Sequence, residues 1–359
     1  MNAHAESITL LGDTTSASHA PHDKRVLSSL RKPKANLHRR VWTASDADEH
    51  AQNLSEWNQT YDQLSRGRFS GVITELWTNK AQVFLESTNR QLRQSCAAWP
   101  HSIWFGIPDP AGSTAAIDFH GVPANGIAVR QGGVGFELRT PDDFNIYGIV
   151  VDREEFRRYA EEVEQTAPEK LLGKADVLLV DMAAKRRLCQ RIDALLDEAA
   201  FPAPVVASNG CGRDHEPHQA IQDRILGAIV SLLMTQDGQE PPERRAQTRL
   251  HRWQTVRRIR EYILDEASFD VTVPELCRRF HMSRRTLQYC FEEVTGLSPT
   301  NFLRSIRLNA ARRELRRRQA RERSVSEIAL DWGFSHLSQF AQDYRHLFAE
   351  LPSETLRSA

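Results

Sequence analysis

No lysine occurs between Arg245 and Ala359, although that stretch holds 21 arginines. Its 14 acidic residues leave it at +7, so the other 244 residues carry −7 and the whole chain is formally neutral. A cationic end joined to an anionic remainder points to contact with nucleic acid at the cationic end. Cysteine is scarce as well. Cys96, Cys189, Cys211, Cys277 and Cys290 are odd in number, without CxxC spacing and without a neighbouring set of histidines. That excludes a disulfide framework and a zinc site, and it fits a reducing cytoplasm.

Long apolar runs are missing too. The first twenty residues have neither the basic segment nor the apolar segment of a secretory signal. The run from Ile225 to Met234 is too short and too interrupted to span a bilayer. A soluble cytoplasmic protein with no membrane partner is the expectation. There is no Gly-rich phosphate loop, no nucleophile elbow and no HExxH. Glu137, Asp142 and Asp143 are the tight acidic group of the middle region, and such groups are ordinary turn chemistry. Catalysis is therefore not expected, and no catalytic residue, catalytic cofactor or metal ligand is assigned.

A chain of 359 residues suggests about two domains. Residues 1–50 are polar, aperiodic and low in apolar content, which predicts a flexible arm. Residues 51–151 hold short β-like runs such as FSGVITELWT, AQVFLEST and FNIYGIVV, separated by Gly, Pro, Asn and Asp. The spacing predicts a sandwich or barrel, with a cupin-like barrel as the first choice. Its two histidines, His101 and His120, stand alone, against the clustered ligands of a metal-dependent cupin. Residues 152–237 turn helical, with Ile192, Leu195, Leu196 and Ala199 at helical spacing, and would pack on the barrel or on a second subunit. GQEPPERRAQ, 238–247, reads as a linker. The expected architecture is α+β, with an all-α domain over 248–359.

Within that last domain one pattern occurs twice. Thr272 with Glu275 and Ser324 with Glu327 each form a capping-box signature at a helix start. The first helices match at Leu276/Ile328 and Phe280/Trp332, and the second at Leu287/Phe340, Phe291/Tyr344 and Pro299/Pro352. Gly333 falls where a tight turn wants a left-handed residue, and His281 takes that place in the first copy. Two short helices around a tight turn, in a cationic setting, predict a helix-turn-helix in each copy.

On the first reader helix Leu287, Phe291 and Val294 form the inner stripe, which leaves Arg284, Arg285, Gln288 and Tyr289 to face base edges and phosphates. On the second, Phe340, Tyr344 and Leu347 face inward and His336, Ser338, Gln339 and Gln342 outward. Arg304, Arg307, Arg312 and Arg345 are the candidates for phosphate contact. Between the copies Ser298 caps a helix that begins at Pro299. If it runs to Arg317 it is roughly 28 Å long, close to the ~34 Å between successive major-groove turns.

The doubled motif, the intervening RLNAARREL and the segment DWGFSHLSQFAQDYRHLFAELPS resemble the AraC/XylS family of bacterial transcription regulators over about 256–357. Glu350 departs from the small residue common in that family before the final Pro. WNQTYDQLSRGRFSG, LRQSCAAWPHSIWFGIP and FELRTPDDF resemble the sensor half of the branch that controls ethanolamine-utilisation operons. The resemblance implies promoter DNA and RNA polymerase as partners, a possible homodimer, activation of transcription, and ethanolamine with adenosylcobalamin as effectors.

An ammonium group prefers a carboxylate beside an aromatic face, and Glu75 and Trp77, two apart on one strand, share a face. Trp104 and Glu137 are alternatives. Glu75 could instead pair across strands with Arg90 or Arg93, and Trp77, Trp99, Trp104 and Phe105 could simply be core. A DNA-binding regulator that needs no effector therefore stays open as the alternative to an effector-responsive one. A cupin-like enzyme fused to a DNA-binding domain is the remaining reading.

Overall fold

The computed structural model describes residues 38–358 apart from 119, 174, 201–215, 237–242, 266–270 and 318–322. Its strands are β1 (His38–Ala44), β2 (Asn58–Gln63), β3 (Gly71–Trp77), β4 (Ala81–Thr88), β5 (Leu92–Ala97), β6 (Ser102–Pro108), β7 (Ala115–Ile117), β8 (His120–Val122), β9 (Gly126–Gln131), β10 (Phe136–Thr140), β11 (Phe144–Asp152) and β12 (Val177–Leu179). Its helices are α1 (Ala47–Gln52), α2 (Arg153–Glu162), α3 (Pro168–Leu172), α4 (Met182–Glu198), α5 (Glu216–Leu233), α6 (Glu243–Asp265), α7 (Val273–Arg279), α8 (Arg284–Thr295), α9 (Pro299–Leu315), α10 (Val325–Asp331), α11 (Leu337–Phe348) and α12 (Pro352–Ser358).

The strands make two sheets, ordered β1-β3-β4-β11-β6-β9-β12 and β2-β5-β10-β7-β8. The expected barrel is therefore not closed. It is a sandwich, and Ile73, Phe84, Trp104 and Ile146 of the larger sheet meet Tyr61, Leu92, Phe136 and Leu138 of the smaller in one core. The central strands of the larger sheet are buried on their other face as well. Successive side chains point to opposite faces, so Val83, Phe105, Tyr147 and Ile149 join a second core with Phe156 of α2, Leu188 and Ile192 of α4 and Ile229 of α5. Burial on both faces explains why SIWFGIP and FNIYGIVV read as nearly continuous apolar runs.

The predicted arm is too long. His38–Ala44 pairs with β3 along its whole length, and Ala47–Gln52 forms α1, capped by the Asp46 carboxylate. Residues 1–37 lie outside the described part. The helical segment packs on the larger sheet and also donates β12, which pairs with β9. Of the predicted linker 238–247, residues 243–247 belong to α6, which begins at Glu243, and residues 238–242 lie outside the described part.

The C-terminal half has two apolar cores, and α9 contributes to both. Phe302, Leu303 and Ile306 complete a core with Val256 and Ile259 of α6, Leu276 of α7 and Leu287 and Phe291 of α8. Further along the helix, Leu308, Ala311 and Leu315 complete another with Ile328 of α10 and Phe340, Tyr344 and Leu347 of α11. Ser298 caps α9 by accepting from the Asn301 amide, with Pro299 in the first turn. At 17 residues α9 is about 25 Å long, one half-turn shorter than expected.

Among the described residues Cys96, Cys189, Cys277 and Cys290 are unpaired, no cluster of His, Cys, Asp or Glu could hold a metal ion, and no helix is long and apolar enough to cross a membrane. Cys211 lies outside the described residues.

Candidate nucleic-acid interface

Helices α7 and α8 meet at a turn in which His281 holds φ +50°, and α10 and α11 at one in which Gly333 holds φ +75°. The two turns thus use the same left-handed conformation, one with a glycine and one with a residue that tolerates it. The caps differ. Ser324 and Glu327 form the full reciprocal box, with the Glu327 amide 3.1 Å from the Ser324 hydroxyl, while Thr272 makes no side-chain cap bond. The start of α7 instead relies on Pro in its first turn.

On α8 the inner stripe is Leu287, Cys290 and Phe291, all buried, and Val294 is half-buried against the same core. Arg284 and Arg285 are exposed, and Gln288 is half-buried and donates to Glu292. Tyr289 is 55% exposed, with the Arg252 guanidinium 4.4 Å from its ring centre. Arg252 itself pairs with Glu293, so α6 braces the outer side of α8. On α11 Phe340, Tyr344 and Leu347 are buried, while His336, Ser338, Gln339 and Gln342 are exposed. Gln339 donates to Asp343 at 2.9 Å, and Asp343 also faces Arg304 at 3.4 Å. A groove of about 430 Å³ separates the two helix pairs; Arg304, Arg307, Thr300, Ser335, His336 and Gln339 are among its walls. Sequence spacing did not single out Thr300 or Ser335, whose place depends on the tertiary packing of α9 against the second turn.

Of the four candidate phosphate contacts, Arg345 is exposed, Arg304 is exposed on the groove, and Arg307 is half-buried with one Nη 2.9 Å from the Val271 carbonyl. Arg312 is a correction. It is buried, pairs with Asp46 and with Glu350 at 2.6 Å, and stacks 4.6 Å from the Phe348 ring centre. Helical geometry explains it, since 304 and 307 share one side of α9 while 309, 312, 313 and 316 share the opposite one. The groove side carries the first pair, and the sandwich covers the second set.

That covered side is dense with charge. Arg313 reaches Asp62 at 2.8 Å, and Arg93 and Arg260 stand 3.4 and 3.6 Å from the same carboxylate. Burial would raise the Asp62 carboxyl, but Arg313, Arg260 and Arg93 overcome it and hold it at about 2. Burial acts the same way on Asp46, and Arg312 and Arg316 overcome it to keep that carboxyl below its ordinary value. The Asn309 side chain pairs with the Gln63 backbone in both directions, at 2.9 and 3.0 Å.

Glu137 is a second correction. It lies on the outer face of the smaller sheet and pairs with Arg93, so it is not beside Trp104 inside the sandwich. Glu75 pairs with neither Arg90 nor Arg93. It is fully buried and accepts from the Trp77 indole, from Gln82 at 3.2 Å and from Ser55 at 3.1 Å. Gln82 in turn accepts from Trp57, whose ring lies 5.8 Å from that of Trp104. Trp77 and Trp99 lie 6.0 Å apart. Phe105 faces the other way, 5.7 Å from Phe156 of α2. In the acidic group, Asp142 accepts from the Gln91 amide at 2.7 Å and Asp143 holds φ +50°, both as turn residues do.

Residues 276–358 match the model of the family described as a helix-turn-helix domain. The chain is 40% identical over 100 residues to the XylDLEGF operon transcriptional activator of Pseudomonas putida, covering 28% of this chain and 31% of that protein. It is 30% identical over 146 residues to the transcriptional activator RhaS of Escherichia coli O157:H7, covering 40% of this chain and 48% of that one. A solved structure titled a probable AraC family transcriptional regulator, from Rhodopseudomonas palustris, is 38% identical and covers 30% of this chain and 97% of its own, with a TM-score of 0.27. Residues 276–358 thus form a helix-turn-helix domain. Over this segment the chain is similar to transcriptional activators that carry such a domain. It spans less than a third of the length of the Pseudomonas putida relative.

Proposed function

We propose that this protein is a cytoplasmic, sequence-specific activator of transcription, without catalytic activity, that places α8 and α11 in successive major grooves of promoter DNA and works with RNA polymerase. The observation that carries the reading is the pair of faces on each of those helices. Their apolar sides close two cores on α9, while Arg284, Arg285 and Tyr289 on one and Ser338, Gln339 and Gln342 on the other stand free of any core. Arginine forks onto guanine and glutamine pairs with adenine, so the two faces have the donors that base edges require. The test is a binding titration of the full chain against its own promoter and against random duplex, at 50 and 200 mM salt. Preference for the promoter and a steep fall with salt are expected; equal affinity for both duplexes, or a flat salt response, overturns the reading.

We further propose that the sandwich answers to a small organic cation such as ethanolamine. Glu75 supports this choice. Its buried carboxylate meets only neutral donors, Trp77, Gln82 and Ser55, and no described cationic side chain pairs with it. A buried anion of that kind is favoured by a cation that stacks on indole rings. Adenosylcobalamin, the second effector implied by the resemblance, is too large for the interior and would need an outer face. Thermal unfolding with ethanolamine, with adenosylcobalamin and with both is the measurement, since a ligand of the native state raises its stability. A rise with ethanolamine that is lost in Glu75→Gln supports the site, and no rise in the wild type removes it.

A further inference from the structure

Two short elements of the sandwich have one face in its interior and the other on α9. In β2 successive side chains alternate, so Tyr61 points into the core and Asp62 points out to Arg313 and Arg260. In α1, Ala47, His50 and Ala51 are buried on the sandwich side. Asp46, which caps that helix, pairs on the other side with Arg312, and Glu49 reaches Arg316 at 3.1 Å. The inner ends of both elements meet. The His50 ring is fully buried, 5.4 Å from Phe69 and 6.1 Å from Tyr61, and its Nε2 lies 3.0 Å from a Glu86 carboxylate oxygen. Glu86 is itself buried on β4. A cluster of polar groups thus sits in an otherwise apolar core, directly behind the two aspartates that hold the arginines of α9.

We propose that α1 and β2 form a two-sided relay, through which a displacement of the His50–Glu86–Tyr61 cluster inside the sandwich loosens the grip of Asp46 and Asp62 on α9. The physical basis is the sharp distance dependence of buried ion pairs. Such pairs offset the cost of dehydration only while their geometry is good, so a small shift of the aspartates releases the arginines rather than bending the contact gradually. Asp46 is bound to α1 twice over, accepting from the Asp48 and Glu49 amides at 3.0 Å, and it moves with that helix. Arg313 also donates to the Tyr61 carbonyl at 3.3 Å, so β2 and α9 are tied at adjacent residues. Since α9 carries both helix pairs, its release changes how they are held. The consequence for DNA rests on the function proposed above; the coupling itself does not.

Gly71 supplies a way to push on the relay from within. A methyl group at its Cβ position would lie 2.6 Å from the His50 ring and 2.8 Å from Phe69, so Gly71→Ala drives the imidazole, and with it α1, away from β3 without touching the aspartate–arginine pairs on α9. Amide hydrogen exchange of the full chain should then rise at least about tenfold across α9, as it should in Asp46→Asn, while β6 and β11 keep wild-type protection. Glu86→Gln, which changes one buried atom, should give a smaller rise at the same place. Faster exchange in α1 with α9 unchanged in both Gly71→Ala and Glu86→Gln overturns the relay. If Gly71→Ala loosens the whole sandwich, Glu86→Gln decides alone. Promoter affinity measured on the same variants separates the two claims: altered exchange without any DNA binding by the wild type would sink the function and leave the relay standing.

Discussion

The two helix pairs on α9 share a geometry and differ in chemistry. The first presents two adjacent arginines and a tyrosine, braced from outside by Arg252. The second presents His336, Ser338, Gln339 and Gln342, without a cationic side chain until Arg345. Geometry is preserved by what faces α9, where Leu287 and Phe291 occupy the places of Phe340 and Tyr344. The outer face is free of that demand. Under the function proposed above, the comparison assigns attraction of phosphate and guanine to the first pair and discrimination by neutral hydrogen bonds to the second.

The largest test removes the shared geometry. Phe291→Ala and Phe340→Ala each leave a cavity in one core and should each cost about 3–5 kcal/mol. Because α9 closes both cores, each variant should melt in one lowered transition by calorimetry; two separate transitions would mean that the halves are independent. The next test separates the outer faces. Arg285→Ala should cost up to about 3 kcal/mol of promoter affinity and reduce the slope of affinity with salt by about 1. Gln342→Ala should relax discrimination at a different half-site and leave the salt slope unchanged. Equal salt slopes for the two variants would erase the proposed division of labour.

A third test uses the carboxylate that faces Arg260 of α6, Arg313 of α9 and Arg93 of β5. Asp62 is lowered in the folded state from 3.8 to about 2, so its contribution is complete above about pH 4 and is lost as pH falls toward 2. The loss should be about 2 kcal/mol in acid titrations of stability, and absent in Asp62→Asn. The smallest effect concerns the caps. Ser324→Ala should cost about 1 kcal/mol, whereas Thr272→Ala, which loses no side-chain cap bond, should cost almost nothing. Chemical denaturation of the pair measures the difference directly.

Much of the C-terminal half was legible because its signals are local. Ser298 and Pro299 announce the start of α9, His281 and Gly333 mark the turns, and spacing of three and four divides inner from outer residues on α8 and α11. The same spacing placed Arg312 on a face of α9 but could not say what covers that face. Its partner, Asp46, is 266 residues away and belongs to a helix of six residues, too short to show a period. Glu137 misled for a similar reason, since alternation along β10 gives two faces without saying which one is inside. Glu75 and Trp77 were placed on one face by the same alternation, and their direct hydrogen bond follows from it. The closed barrel failed because strand spacing carries no information on whether edge strands meet.

The double use of α9 also fixes an order of events during synthesis. As the chain leaves the ribosome, the first core can close once Ile306 has emerged, because all its other members lie upstream. The next residues, Leu308, Ala311 and Leu315, then wait as a bare apolar stripe until Phe340, Tyr344 and Leu347 follow. A premature stop after Arg317 would leave that stripe exposed on an otherwise finished domain. Such a fragment is a ready client for chaperones and for self-association.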